Sequence, residues 1–118
     1  MTIRRAMPVV HSTDLDASRS FYVDFLGFEP AMDQEGFLML RSPSAPTAQV
    51  LVATEAAFDH EVLRIDMSVE VSDVDDAYAE AQRRGLEVVY PITDEAWGVR
   101  RFFVRDPNGT VVNVVMHR

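Results

Sequence analysis

An internal repeat is the feature that most constrains how this 118-residue chain folds. Thr13 begins the segment TDLD, and Ser72 begins the matching segment SDVD. Ser and Thr are residue types that cap the free N–H groups at a helix start, and an acidic residue three positions later favours the positive helix end. The repeat therefore predicts two helices capped by Thr13 and Ser72. Gly27 and Gly85 predict where these helices end, because glycine accepts the left-handed conformation of a C-terminal cap.

Each predicted helix follows one extended run and precedes three more, so the order β-α-β-β-β occurs twice. The fold class is α+β, and we expect one domain over residues 1–118, with module one at about 1–54, a linker at about 55–61 and module two at about 62–118. Two such modules predict an incompletely closed, eight-stranded, barrel-like groove suited to a small molecule. The predicted strands are Arg5–Ser12, Glu29–Gln34, Phe37–Arg41, Ala48–Thr54, Leu63–Val71, Glu87–Pro91, Arg100–Arg105 and Thr110–His117.

Composition narrows the partners and the compartment. Apolar residues make up 47% and charged residues 25%, as in ordinary globular proteins, and the absence of cysteine excludes disulfides and thiolate metal sites. The net charge of −8 disfavours nucleic acid as a partner. The same charge either attracts a cationic ligand or only keeps the domain soluble. No apolar run has the length of a signal peptide or a membrane span, so we expect a cytoplasmic protein that does not bind membranes.

Two further segments resemble a known family. Asp14–Tyr22 (DLDASRSFY) is followed by Phe25–Phe28 (FLGF), and the chain closes with Ala96–Gly109 (AWGVRRFFVRDPNG). Together with the tandem βαβββ order, these segments resemble the vicinal-oxygen-chelate superfamily, which contains glyoxalase I, extradiol dioxygenases, fosfomycin-resistance enzymes and bleomycin-resistance binding proteins. The closing segment resembles the bleomycin-resistance branch most. The resemblance implies a glyoxalase-like fold and a homodimer.

The resemblance also implies four metal-ligand positions, which map to Met7, Leu51, Asp66 and Asn113. The metal enzymes need His, Glu or Gln at these positions, whereas Met and Leu offer no donor to a hard or borderline cation. Two oxygen donors do not make a transition-metal site. We therefore predict no metal, no cofactor and no catalytic residue, and we assign the four positions to ligand binding. The three histidines are predicted to be exposed or terminal: His11, His60 and His117.

Aromatic residues are the other candidates. The resemblance places stacking side chains at Trp97 and Phe37, which would clamp a flat ring; alternatively, Trp97 covers the edge of the core. Phe102 and Phe103 point to opposite faces of their strand, and we include Phe103 among the ligand-binding candidates although the sequence leaves the choice open. The aromatic residues around the first helix are predicted to belong to the core or to contact the next strand from the helix: Phe21, Tyr22, Phe25 and Phe28.

Charged residues lie beside both stacking candidates. Carboxylates next to Phe37 and Trp97 would attract a cationic ligand, unless they are simply solvated loop residues. The two adjacent arginines are expected to face solvent or a dimer partner, or to bind an anionic group. The residues concerned are Asp33, Glu35, Asp94, Glu95, Arg100 and Arg101.

These observations predict a metal-free binding protein that sequesters a small aromatic natural product or antibiotic, with a cationic ligand as one option. Such a protein confers drug resistance by mass action. The alternatives are a metal-dependent glyoxalase-like lyase, isomerase or dioxygenase, and a metal-free enzyme or accessory protein of a biosynthetic pathway.

Overall fold

The computed structural model describes residues 1–54 and 64–118. The predicted linker at 55–61 and His60 lie outside the described residues. Contacts divide the chain into two compact units, Met7–Glu61 and Met1–Ala6 with Val62–Arg118, which we call module one and module two from here on. The first six residues join module two because Ser72 N donates to Thr2 O at 2.9 Å and Thr2 N donates to Ser72 Oγ at 2.7 Å.

Both modules repeat one topology. In module one the strand order is β2-β3-β4-β1, with β1 and β4 parallel and the other pairs antiparallel. In module two the order is β6-β7-β8-β5, with β5 and β8 parallel and the other pairs antiparallel. The α+β class and the repeated βαβββ order are confirmed. The elements are β1 (Ile3–His11), α1 (Leu15–Arg19), a π-helical segment (Ser20–Phe25), β2 (Glu29–Gln34), β3 (Phe37–Arg41), β4 (Gln49–Ala53), β5 (Met67–Val71), α2 (Val74–Arg83), β6 (Val88–Asp94), β7 (Val99–Arg105) and β8 (Val111–His117).

The helix of each module covers one face of its sheet. In module two Phe102 packs under α2, with its ring centroid 5.0 Å from that of Tyr78. Because strand side chains alternate between faces, Phe103 lies on the opposite face, which we call the helix-free face. The structure thus resolves the choice between the two phenylalanines. Helix-side core residues of module two are Val71, Val74, Ala77, Ala81, Phe102 and Val114, and those of module one are Leu38, Leu40 and Val52.

Strand β6 is longer than predicted. It continues through Pro91 to Asp94, although proline lacks the N–H that a central strand needs. This extension is possible because β6 is the last strand in the order of module two, and its pairing with β7 is irregular between Tyr90 and Thr93. Strand β5 begins only at Met67, later than predicted. No helix among the described residues has the length and apolarity needed to cross a membrane.

The helix caps are not the predicted ones. Asp14 Oδ1 accepts a hydrogen bond from Ala17 N at 3.1 Å, and Asp73 Oδ1 accepts one from Asp76 N at 3.0 Å. The prediction of Thr13 and Ser72 was therefore wrong by one residue. Both aspartates have extended backbone, as a residue at a helix N-cap does.

This cap assignment predicts a difference between two neighbouring alanine variants. Asp14→Ala removes the acceptor for Ala17 N and is expected to lower the free energy of unfolding by about 1 kcal/mol. Thr13→Ala removes an exposed side chain and is expected to change it by less than about 0.5 kcal/mol. Urea denaturation followed by circular dichroism measures both. A larger loss for Thr13→Ala than for Asp14→Ala would contradict the assignment.

Two aromatic residues predicted to be core are exposed. Phe21 is 50% exposed and Phe25 is 73% exposed, whereas Tyr22 and Phe28 pack against the core of module one as predicted. The reason is the π-helical segment, in which Leu26 N bonds to Phe21 O at 3.1 Å. The wider turn shifts the side chains around the helix axis relative to an α-helix.

Candidate functional site

A charged pair anchors a cluster of side chains on the helix-free face of module two. Arg101 on β7 lies 2.6 Å from Glu95 Oε2 through its Nη2 and donates to the same oxygen through Nε at 2.8 Å. Tyr90 on β6 donates its hydroxyl to Glu95 Oε1 at 3.0 Å. The side chains of Arg101 and Glu95 are only 16% and 15% exposed. Both oxygens of the carboxylate are therefore occupied, and the pair is shielded from solvent.

Three aromatic rings surround the Arg101 guanidinium. Its Cζ lies 4.9 Å from the ring centroid of Phe103, 5.2 Å from that of Trp97 and 5.6 Å from that of Tyr90. The rings of Tyr90 and Phe103 lie 4.8 Å apart. Contacts between guanidinium and aromatic faces are stabilising when partly desolvated. We call this set, with Glu95, the Trp97 platform.

The turn between β6 and β7 presents Trp97. Glu95 N donates to Val99 O at 2.8 Å, and Gly98 N donates to Glu95 O at 3.2 Å. Gly98 has φ of 95°, a conformation that glycine adopts without steric cost. Trp97 remains 65% exposed, although Arg101 lies over its ring. The indole is thus supported from within the protein and open to a ligand.

A buried polar pair lies beside Phe103. Asn113 on β8 pairs with Phe103 on β7 and with Ser68 on β5, and its Nδ2 donates to Ser68 Oγ at 3.0 Å. Asn113 is 5% exposed, and its Oδ1 is buried without a hydrogen-bond partner among residues 1–54 and 64–118. Buried polar atoms are normally paired, so this unpaired acceptor is a candidate for a ligand contact.

The other predicted residue of module two has a structural role. Asp66 immediately precedes β5, and its Oδ2 accepts a hydrogen bond from Val111 N at 3.1 Å while its own N donates to Val111 O at 2.9 Å. It lines a surface cavity of about 420 Å³ together with Arg64 and Arg105. These bonds tie the start of β5 to the start of β8, and nothing here brings Asp66 into the Trp97 platform.

The remaining candidates lie in module one. On β3, Phe37 pairs with Ala53, while Leu51 on β4 pairs with Val9 on β1. Met7 is 4% exposed, whereas Phe37 and Leu51 are half-buried. By strand alternation all three predicted residues lie on the face opposite the helix-side core of module one. The side chains of these three residues are apolar.

The side chains present do not fit a metal ion. In module two the register partners of Asn113 are Ser68 and Phe103, and in module one those of Leu51 are Val9 and Met39. Alkyl, hydroxyl and amide groups are poor ligands for the transition metals, which select imidazole, thiolate and carboxylate. Within the part of the chain that the structure describes, no three His, Cys, Asp or Glu side chains lie close enough together to hold a metal ion.

The two described histidines have no place in the Trp97 platform. His11 is half-buried, rather than exposed, at the end of β1, and His117 at the end of β8 is 58% exposed. His117 Nδ1 lies 3.2 Å from Glu70 Oε2, and that oxygen also lies 2.9 Å from Arg5 Nη2.

Sequence reasoning did not bring Arg101, Glu95 and Tyr90 together, and it did not name Tyr90. Arg101 was expected to face solvent or a partner, or to bind an anionic group, whereas the structure places its guanidinium over the Trp97 ring. Strand alternation from Phe103 would have placed Arg101 and Phe103 on one face. Three of the four carboxylates thought to attract a cation are engaged by arginines, namely Asp33, Asp94 and Glu95. Asp94 lies 3.1 Å from Arg100 Nη1, and hydrogen bonds to Asp75 and Asp94 raise the pKa of the Arg100 guanidinium.

A comparison with models of protein families identifies the superfamily of this chain. The model for the Glyoxalase/Bleomycin resistance protein/Dioxygenase superfamily matches residues 6–114. The chain belongs to this superfamily. The match spans both modules, so the glyoxalase-like fold that the resemblance implied is confirmed. No curated protein matches the chain in sequence.

Solved structures support the same superfamily fold. A superfamily member from Vibrio splendidus has a TM-score of 0.74 and 20% identity, over 98% of this chain and 99% of that one. Methylmalonyl-CoA epimerase from Mycobacterium tuberculosis has a TM-score of 0.71 and 20% identity, over 98% and 87%. The Streptomyces coelicolor epimerase in complex with 2-nitronate-propionyl-CoA has a TM-score of 0.70 and 20% identity, over 98% and 99%. At such identities the likeness shows the fold alone.

Proposed function

We propose that this superfamily member is a metal-free binding protein for a small planar aromatic molecule, which stacks on the Trp97 platform. The observation that carries the proposal is a tryptophan that is 65% exposed yet supported by a shielded ion pair and two further rings. An exposed large apolar side chain gains free energy when a ligand covers it, and here the supporting shell already fixes its position.

The buried polar pair supports the same proposal. Asn113 pairs with Phe103 on the same face of the sheet as Arg101, and its Oδ1 is buried without a hydrogen-bond partner among the described residues, so we propose it as a further contact for a ligand N–H or O–H. Apolar walls with a small number of placed polar groups are typical of small-molecule sites. The module-one residues Phe37, Met7 and Leu51 are proposed as further ligand contacts.

The side chains at the mapped metal-ligand positions do not support the alternative, which is a metal-dependent lyase, isomerase or dioxygenase. Catalysis by a bound metal requires a Lewis acid held by three or four protein ligands. The mapped positions and their register partners supply thioether, alkyl, hydroxyl and amide groups and a single carboxylate, that of Asp66. The carboxylates of Glu95 and Glu70 are both engaged by arginines, at 2.6 and 2.9 Å.

The biological role that follows is sequestration. A binder present in excess lowers the free concentration of a toxic aromatic natural product or antibiotic without altering it chemically, which is resistance by mass action. We propose that the protein acts in the cytoplasm as a homodimer. Light scattering during size-exclusion chromatography measures the dimer independently of ligand.

The test is a screen of planar aromatic antibiotics and natural products, following the fluorescence of Trp97, which is the one tryptophan of the chain. We expect at least one saturable ligand whose affinity is unchanged by EDTA and which mass spectrometry recovers intact. Loss of binding in EDTA with recovery on adding Zn²⁺, Ni²⁺, Mn²⁺ or Fe²⁺, or conversion of the ligand to a product, would contradict the proposal.

A further inference from the structure

We propose that Ser68 and Asn113 form a polar subsite for an amide edge, so that the ligand carries an N–H and a C=O on one carbon, as a carboxamide or a lactam does. This inference rests on the proposed function, because it assigns the chemical class of the aromatic ligand that contacts the Trp97 platform. The property that selects the ligand is unused hydrogen-bonding capacity in a buried pair of side chains.

The pair has more hydrogen-bonding capacity than it uses. Asn113 Nδ2 donates to Ser68 Oγ at 3.0 Å, and both residues are 5% exposed. Among residues 1–54 and 64–118, Asn113 Oδ1 has no hydrogen-bond partner, and the Ser68 hydroxyl has no side-chain partner other than Asn113. A hydroxyl that accepts a hydrogen bond still has its own proton to donate. The pair therefore leaves one acceptor and one donor unused.

The same capacity remains if the Asn113 amide turns over. Ser68 then donates to Oδ1, so that Asn113 Nδ2 offers the donor and Ser68 Oγ offers the acceptor. In either arrangement a ligand carbonyl alone pairs only with the donor, whereas an amide edge pairs with both groups. A buried polar group that stays unpaired costs free energy when a ligand covers it. The subsite is therefore expected to favour an amide over a ketone of the same shape.

The register of the strands places the pair beside the Trp97 platform. Asn113 pairs with Phe103, whose ring centroid lies 4.9 Å from Arg101 Cζ. Val111, two residues from Asn113 on β8, pairs with Arg105, and both residues line the surface cavity of about 420 Å³. Residues two apart on a strand share a face and lie about 7 Å apart. The pair thus adjoins the platform at Phe103 and the cavity at Val111.

The test compares two uncharged probes of nearly the same shape. 2-Naphthamide carries the amide edge, whereas 2-acetylnaphthalene keeps the C=O and has a methyl group in place of the amino group. Titration of the ¹⁵N-labelled protein gives both dissociation constants, and the Trp97 indole N–H and the Asn113 side-chain amide report contact with the platform and the pair. One hydrogen bond changes affinity by about twofold to tenfold, so we expect the amide to bind about fivefold more tightly than the ketone.

Variants of the pair then show whether it causes this preference. Asn113→Leu replaces the amide by an apolar side chain of similar size and is expected to reduce the preference to less than about twofold. Because this change leaves the Ser68 hydroxyl without its partner, a double variant that adds Ser68→Ala removes both polar groups and has the same expected result. The matched control is Asn108→Ala, which removes the amide of the chain's other asparagine from an exposed turn and is expected to keep the wild-type preference.

The outcomes separate this inference from the proposed function. Equal affinities of the two probes for the wild type, or the same preference in wild type and Asn113→Leu, overturn the amide subsite, while the platform stands if the Trp97 indole resonance still shifts. If neither probe shifts that resonance, the platform itself fails, and the inference with it. If Asn113→Leu does not fold, as judged by circular dichroism, the double variant supplies the decision, because a retained amide preference there also overturns the inference.

Discussion

Trp97→Ala is expected to weaken the binding of a planar probe such as 2-naphthamide by about thirtyfold or more. Covering about 100 Å² of indole contributes about 2.5 kcal/mol of burial, and ring stacking adds about 0.5–1.5 kcal/mol. The same change should lower the free energy of unfolding by less than about 1 kcal/mol, because the side chain is 65% exposed and its main contact is with Arg101. Calorimetry and urea denaturation measure the two quantities.

The matched control for this variant is Phe25→Ala. Phe25 is 73% exposed, lies in module one and offers another aromatic surface to a flat probe. We expect its removal to change probe affinity by less than about twofold. An equal loss of affinity in the two variants would mean that the probe adsorbs to exposed rings in general. It would contradict specific binding at the Trp97 platform.

Phe102→Leu and Phe103→Leu are expected to have different effects although the two residues are neighbours and are only 2% and 1% exposed. Phe102 packs against Tyr78 of α2, so its shortening should lower the free energy of unfolding by about 1–3 kcal/mol, and Phe102→Ala by about 3–5 kcal/mol. Neither change should alter probe affinity in the folded protein by more than about twofold. Denaturation and calorimetry measure both properties.

Phe103→Leu serves as the control on the opposite face. Its ring contacts the Arg101 guanidinium at 4.9 Å and the ring of Tyr90 at 4.8 Å. We expect this variant to lose stability as well, but also to weaken probe binding by about fivefold or more, because the support of Trp97 is disturbed. If Phe102→Leu impaired binding as much as Phe103→Leu, the assignment of the two faces to core and site would be wrong.

Local signals in the sequence were sufficient for much of the fold. Strands β2 and β3 have the predicted bounds because Glu35 and Gly36 mark the turn between them. The π-helical segment and α2 each end two residues before a glycine in the left-handed region, Gly27 with φ of 90° and Gly85 with φ of 65°. The repeat identified the two βαβββ modules, since each copy carries the same start and stop signals in the same order.

The errors in the fold came from choices that local chemistry leaves open. Thr13 and Asp14 are both good cap residues, and only the backbone conformation decides between them. The exposure of Phe21 and Phe25 follows from a π-helical turn, which ordinary helical spacing does not anticipate. Pro91 suggested a strand end, but an edge strand tolerates it.

The candidate site was foreseen in part. The family resemblance pointed to Trp97 as a ligand contact. Side-chain alternation along β7 left either Phe102 or Phe103 as a second contact without deciding between them. The role of Arg101 was not foreseen, because the pairing of Arg101 with Glu95 across a four-residue turn depends on how β6 and β7 are aligned. Charges next to an aromatic residue in sequence say little about the field above its ring.

The most direct test of the central claim is a chemical-shift titration of the ¹⁵N-labelled protein with 2-naphthamide. We predict saturable shifts of the Trp97 indole N–H and of the Asn113 side-chain amide, while the backbone amides of Phe21 and Phe25 stay unchanged. Shifts confined to the π-helical segment, with the Trp97 indole signal unmoved, would contradict the claim that the helix-free face of module two binds the ligand.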